Sequence, residues 1–252
     1  MKPLFLLLYL TSTTSDWGAT GHRVIGEVAA QHISKKTAKA IDDLLEGASL
    51  AYVSVFADDI KSDDRYQAFF SWHFANINID EIYNSISKNP KGDVVQAVKI
   101  SVRKLKSKTT PRAEKQFYLK LLIHFIGDLH QPMHLAKKED KGENKIKIKW
   151  FGKSSNLHRL WDSDMINSSQ FSYSELAQNL PSITPKALEQ MKSSSFSFWI
   201  SETHELTKKV YQELPKKPNL GYKYQYDKFD LLRLQLLRAG VRLAALLEDF
   251  FK

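Results

Sequence analysis

Between Phe117 and Leu129 the chain is apolar almost without a break, yet His124 and Asp128 interrupt the run four residues apart. At the 3.6-residue period of a helix both side chains leave one face, one turn apart. A helix this apolar packs against neighbours on most sides, and its imidazole and carboxylate go into the interior with it. Burying such groups is costly unless a partner compensates them. The chain must therefore fold so that other polar side chains, or a cation, meet this pair inside the core. His158 and Asp162 repeat the spacing. His134 lies six residues beyond Asp128, after Gln131 and Pro132, where a helix has to end or turn. His22 and His73 stand in separate segments, each close to a tryptophan, Trp17 and Trp72.

One His–Asp pair at this spacing is usually an ion pair or a hydrogen bond. Its repetition, once on a markedly apolar helix, points instead to a multinuclear His/Asp metal site. The chain has no cysteine, which excludes a disulfide framework, a thiolate metal site and a cysteine nucleophile. Imidazole and carboxylate donors suit zinc or manganese. A metal so held suggests hydrolysis of a phosphoester or amide.

The periodicity elsewhere predicts one all-α domain. Val24, Ile25, Val28, Ala29 and Ile33 form a helical stripe over residues 22–33. Ser34 is positioned to cap a helix burying Ala38, Ile41, Leu44 and Leu45 and ending at Gly47. Further helices are predicted over 53–60, 93–105, 112–129 (after Thr109-Thr110-Pro111), 198–214 and 230–250. The exception is Lys145 to Trp150, whose strict alternation predicts a strand in a small surface β-hairpin turning at Phe151-Gly152-Lys153. Its lysines either blunt an edge strand or face a polyanion. Residues 215–226, rich in Lys, Pro, Tyr and Gly, read as a long surface loop.

With 252 residues, 42% hydrophobic and 26% charged, disorder and low complexity are excluded. A formal charge of +9 favours polyanionic partners. Met1-Lys2 followed by the apolar run Leu4 to Leu10 is too short to span a bilayer, which takes about 20 residues. It fits a signal peptide over residues 1–16, leaving 17–252 as a secreted or periplasmic domain. Its removal takes away Lys2 and Asp16, so the charge stays at +9.

In chain order the sequence carries Trp17-Gly-Ala-Thr-Gly-His22, Phe56-Ala-Asp-Asp59, Trp72-His-Phe74, His124-Phe-Ile-Gly-Asp-Leu-His-Gln-Pro-Met-His134 and Asn156-Leu-His-Arg-Leu-Trp-Asp162. This order resembles the zinc-dependent single-strand nucleases of fungi, plants and bacteria, the S-one/P-one type within the zinc phospholipase C/nuclease superfamily. The likeness runs on to Leu236–Ala244 near the carboxyl end and so covers essentially the whole of 17–252.

The resemblance implies a mostly helical fold holding three zinc ions. Asp58, His73, His124 and Asp128 would hold the first, and His134, His158 and Asp162 a second, more separate one. The third would be held by His22, the bridging carboxylate of Asp128, and the free amine and carbonyl of Trp17. Asp58, His124 and Asp128 would then form the catalytic centre. Two zincs sharing Asp128 would lower the pKa of a bridging water toward about 7, giving an attacking hydroxide and 5′-phosphate products.

Among substrate contacts, Phe74 resembles an aromatic on which a base stacks, although a core role fits it as well. Asn76 stands where fungal enzymes can carry an aspartate, and an amide adds a donor there. Lys61 resembles a phosphate-contacting arginine without its bidentate fork. Two departures stand out. The family's Gly-Gly-Asn turn is Gly142-Glu143-Asn144 here, and Asp16 is a poor residue for signal cleavage directly before Trp17. His32, His130 and His204 read as structural or solvent-facing, with His130 also a candidate donor to a metal carboxylate.

The resulting expectation is a zinc endonuclease acting on single-stranded DNA and RNA, with 3′-nucleotidase activity and no stable membrane association or obligate protein partner. A zinc phospholipase C and a non-catalytic, zinc-stabilised nucleic-acid-binding protein are the competing expectations.

Overall fold

In the computed structural model, which describes residues 17–142, 144–216 and 218–251, the apolar run around His124 forms the helix Arg112–His130. The expected signal segment 1–16 and Glu143 of the Gly-Glu-Asn turn lie outside the described residues. The helices that precede it are α1 (Ala19–His32), α2 (Lys35–Leu45), α3 (Leu50–Val53), α4 (Phe56–Asp59) and α5 (Val94–Lys106), which makes the Arg112–His130 helix α6. After it come α7 (Leu157–Arg159), α8 (Met165–Ser168), α9 (Tyr173–Gln178), α10 (Pro185–Ser193), α11 (Phe196–Gln212) and α12 (Tyr222–Phe251).

Every residue of α6 from Leu121 to His130 is buried, the outcome expected of a helix apolar on all faces. It packs against α5 and α12, while α1 lies along α12 and against α3. Buried apolar side chains of α1, α5 and α12 join it in the core, together with others from most of the remaining elements. No helix among the described residues is long and apolar enough to cross a membrane.

The predicted helices are present, with local corrections. Ser34 caps α2 by accepting from the Thr37 N–H, but Thr37 is buried where Ala38 was expected, and Ala38 faces solvent. The single helix expected over 53–60 is two short ones, α3 and α4, each only one turn long. The segment 215–226 is not a loop throughout. Asn219–Leu220 form a strand, β3, and α12 begins at Tyr222, with Tyr224 buried where its hydroxyl meets the Trp161 indole at 3.1 Å.

The hairpin is present as β1 (Lys147–Trp150) and β2 (Lys153–Asn156). Phe151 and Gly152 have φ of 47° and 77°, the positive values a two-residue hairpin turn of the right hand requires. β1 is the middle strand rather than an edge, because β3 pairs parallel on its other side. Lys147 and Lys149 therefore occupy the exposed face of a central strand, with Ile148 and Trp150 buried behind them.

Gly26 marks a close approach of helix backbones. A Cβ there would lie 2.6 Å from the Leu50 carbonyl oxygen and 2.7 Å from the Ala51 nitrogen, backbone atoms that cannot swing aside. Gly26→Ala is expected to force α1 from α3 and cost about 1–3 kcal/mol, read as a lower urea midpoint with unchanged slope.

Candidate metal centre

Five separate stretches of chain deliver the histidines and aspartates to one place. α6 supplies His124 and Asp128, and the 3₁₀ turn Pro132–Leu135 that follows it supplies His134. His73 ends a 3₁₀ segment, Asp64–His73, and the chain beyond it runs alongside the chain beyond His134. The Ala75 N–H donates to the His134 carbonyl (2.8 Å) and the Ile77 N–H to that of Ala136 (3.1 Å), a short ladder that sets these two histidines side by side. α4 carries Asp58 and α1 carries His22, whose ring lies over Gly127: a Cβ there would come within 2.8 Å of it. His158 lies on α7 and Asp162 on the π-helical turn Leu160–Asp164, a local widening often found at functional positions.

The Asp128 carboxylate is the common point. Its Oδ1 faces His22 Nε2 at 3.5 Å and His134 Nδ1 at 3.2 Å. Its Oδ2 faces His73 Nδ1 at 2.9 Å and His124 Nε2 at 3.1 Å. Asp58 Oδ1 lies 3.6 Å from His124 and 3.9 Å from His73. On the other side, His134 Nε2 is 3.6 Å from Asp162 Oδ1, and His158 Nε2 is 3.0 Å from Asp162 Oδ2. His134 thus joins the expected separate group to the other two. The rings of His22 and His124 stack at 3.8 Å, and those of His134 and His158 at 5.1 Å.

Backbone carbonyls orient two of the imidazoles. His124 Nδ1 donates to Ser54 O (2.7 Å) and His158 Nδ1 to Gly142 O (2.6 Å), which turns each Nε2 toward the carboxylates. Gln131, fully buried, accepts from the Met133 N–H and donates to Asp162 Oδ1. A second set of side chains grips the segment that carries His134. Gln235 donates to the His130 carbonyl (2.8 Å), Thr207 to that of Pro132 (2.5 Å) and His204 to that of Leu135 (2.9 Å). Sequence spacing had no signal for Gln131, Gln235 or Thr207, which act only through this packing. His130 is not a donor to a metal carboxylate. Its Nδ1 meets the Ile126 carbonyl and its Nε2 accepts from Arg242, which also pairs with Glu202 at 2.8 Å. Burial and the Arg242 charge together hold its pKa far below the usual imidazole range.

The electrostatics are those of a buried site that needs compensating charge. Burial opposes ionisation of Asp128, yet the His124 and His134 rings hold it well below the ordinary carboxylate range. Burial likewise pulls His124 down, but Asp128 and Asp58 override it and push the ring up to about 9. At His22 burial wins, reinforced by His124, and the pKa is lowered. Both ring nitrogens of His22 are buried and make no hydrogen bond, with Asp128 Oδ1 at 3.5 Å. Stacked imidazoles aimed at one carboxylate fit a divalent cation, which takes neutral imidazole nitrogen and carboxylate oxygen together. Three sets have ligand atoms close enough to hold a metal: His22, His124 and Asp128; Asp58, His73 and His124; His134, His158 and Asp162. The third expected group differs in pairing His22 with His124. Trp17 is fully buried, its indole N–H donating to the Gly127 carbonyl (2.9 Å), and the adjacent Gly18 N–H donates to the Asp162 carbonyl (2.9 Å).

The cluster opens to solvent mainly at Asp58, whose side chain is 19% exposed and pairs with Lys61 Nζ at 2.7 Å. Phe74 and Asn76 are half-buried and line a neighbouring cavity of about 410 Å³ with Tyr83, Lys88 and Asp93. Phe74 is therefore a wall residue and not a core one. Asp93, predicted only as the first residue of a helix, caps α5 and accepts from the Tyr83 hydroxyl at 2.9 Å, and burial pushes its carboxyl up.

A family model described as S1/P1 Nuclease matches residues 17–252. The chain belongs to the S1/P1 nuclease family. Endonuclease 2 of Arabidopsis thaliana is 26% identical over 277 residues, spanning 97% of this chain and 94% of that protein. Nuclease P1 of Penicillium citrinum is 26% identical over 261 residues, covering 90% of this chain and 95% of its own. Nuclease S1 of Aspergillus oryzae is 28% identical over a shorter stretch of 176 residues, 66% of this chain and 60% of that one. Among solved structures, alpha toxin from Clostridium absonum superposes with a TM-score of 0.53 at 13% identity, over 94% of this chain and 63% of that one. The matched part of the toxin shares the helical fold. Family membership makes the protein a hydrolase of phosphodiester bonds with nucleic acid as its substrate.

Added Zn²⁺ is expected to raise the melting temperature of this nuclease, one site contributing about 2.7 kcal/mol at free metal about 100 times Kd. Asp128→Asn keeps the shape and removes the shared charge. It is expected to lower zinc content by elemental analysis and activity by at least about 100-fold, since even outer partners of metal ligands are worth about 10–100-fold. Full zinc content in that variant would separate Asp128 from the metal.

Proposed function

We propose that the protein is a zinc-dependent endonuclease that cuts single-stranded DNA and RNA to 5′-phosphate products and also removes phosphate from 3′-nucleotides. The observation that carries this is the Asp128 carboxylate, with two imidazoles on each oxygen at 2.9–3.5 Å. A carboxylate so placed is suited to be shared between two metal ions. Asp58, His73, His124 and Asp128 would hold one zinc, His134, His158 and Asp162 a second, and His22, Asp128 and the backbone of Trp17 a third. When bound, the ions supply positive charge to the phosphoryl group and acidify solvent near it.

The chain's own side chains supply the rest. Lys61, at the exposed rim beside Asp58, orients a phosphate as a point charge. Phe74 offers a ring face to the base of the nucleotide whose 3′-oxygen departs, and Asn76 offers both a donor and an acceptor to its edge. Ser54 O and Gly142 O keep His124 and His158 in the tautomer that leaves Nε2 available. A base must leave its stack to reach the Phe74 cavity, which supports the preference for single strands.

Zinc-loaded protein is expected to cut heat-denatured DNA and RNA, leaving 5′-phosphates, with little action on duplex DNA or phosphatidylcholine micelles. Chelation should end the activity and Zn²⁺ restore it. Hydrolysis of the lipid and not of DNA would transfer the reading to a phospholipase.

We further propose export after removal of residues 1–16. The family match begins at Trp17, which supports a mature terminus there. Protein that retains residues before Trp17 is expected to bind one zinc fewer than protein beginning at Trp17, compared by mass spectrometry and zinc count. Equal zinc in the two forms would remove Trp17 from the third site.

A further inference from the structure

A second cavity, of about 370 Å³, borders the metal centre at Ala57, Lys61 and His73, and its lining residues between 66 and 70 fall in none of the family motifs. Tyr66, Gln67, Phe69 and Phe70 form its wall. They belong to the 3₁₀ segment Asp64–His73, in which residues three apart eclipse one another. Gln67, Phe70 and His73 therefore form one ridge, with Phe70 directly beside His73. Tyr66 and Phe69 are backed by Phe117, their rings 5.8 and 5.7 Å from its ring, and Phe69 also packs edge-on to Trp72 at 4.6 Å. That wall is braced from behind. Phe70 is different, 59% exposed although it is large and apolar. Its ring lies 6.5 Å from Phe74 and nearly perpendicular to it (82°), so one aromatic lines each cavity at the mouth of the site.

We propose that this cavity is a second nucleotide subsite, with Phe70 stacking on the base that lies on the 3′ side of the cleaved bond. The inference rests on the endonuclease reading above and deepens it. If the Phe74 cavity takes the base whose 3′-oxygen departs, the neighbouring nucleotide, which keeps the phosphate, extends past Lys61 and His73 into the cavity that these two residues border. An exposed ring face binds any base, because stacking does not depend on hydrogen-bond pattern. Gln67, exposed and held to Asp64 at 2.8 Å, places an amide at the same rim, where it can meet a base edge. Two perpendicular rings cannot both stack on bases that remain parallel to each other. Occupation of both cavities thus requires two consecutive bases to be splayed, which a duplex resists.

The test compares two substrates with the same 5′ nucleoside, an adenosine 3′-phosphate and a dinucleoside monophosphate, on zinc-loaded protein. Only the second has a base for the proposed subsite. Phe70→Ala is expected to reduce kcat/KM on the dinucleotide by about 5- to 150-fold more than on the mononucleotide, with the change mainly in KM. Phe70→Trp should retain dinucleotide cleavage. Phe70→Leu, apolar but without a π face, should behave like the alanine variant. Equal losses on both substrates, an unchanged dinucleotide KM, or rescue by leucine would each overturn the subsite. Failure of the endonuclease reading would appear separately, as wild-type protein that cleaves no dinucleotide, and would take the subsite with it.

Discussion

Four imidazoles face the Asp128 carboxylate within 3.5 Å, in a part of the core closed to water. Such a group is tolerated in an interior only when its charge is matched, and the rest of the fold is arranged around that requirement. The partners come from α1, α6, the end of the 64–73 segment and the 132–135 turn, so no local element satisfies it alone. Close packing does the holding. Gly127 admits the His22 ring, and Gln235, Thr207 and His204 grip the carbonyls on either side of His134. A deeply buried Arg242, tied to Glu202 and His130, fixes the far side of α6 in the same way.

The cluster is buried on most sides and open at one, and that asymmetry decides what it can act on. Asp58 and Lys61 mark the opening, and the two cavities beside it are each lined by an outward aromatic, Phe70 and Phe74. A phosphodiester with a base on each side matches this layout better than an isolated phosphate does. The net charge of +9 adds a general attraction for polyanions, the class to which a nuclease's substrate belongs.

Much of this was legible in the chain. The His124–Asp128 and His158–Asp162 pairs are spaced by helix geometry, and the structure brings both together with His22, His73 and His134. Helix starts written in local chemistry, such as Ser34, were legible too. Misjudged features shared a cause. Ala38 and Thr37 exchanged burial because hydropathy ranks a methyl above a hydroxyl, whereas the Thr37 hydroxyl meets Ser34. Lys147 and Lys149 looked like edge-strand residues because β3, nearly seventy residues later, could not be foreseen from alternation. His130 read as structural, with donation to a metal carboxylate as its other candidate role because it sits between ligands in the sequence; it is structural, since the helix turns it about the axis to face Arg242.

Periodicity and residue chemistry were enough to establish a helical chain that buries imidazoles and carboxylates, because both depend on neighbours within one or two turns. The tertiary structure alone decided that four imidazoles from separate segments meet at Asp128, that His134 joins two groups, and that Phe70 and Phe74 open onto different cavities. Those outcomes depend on contacts between segments far apart in the chain, such as the pairing of Ala75 with His134 and of Gln235 with His130. Long-range geometry of this kind leaves no periodic trace, since the same side chains at the same spacings would fit many other packings.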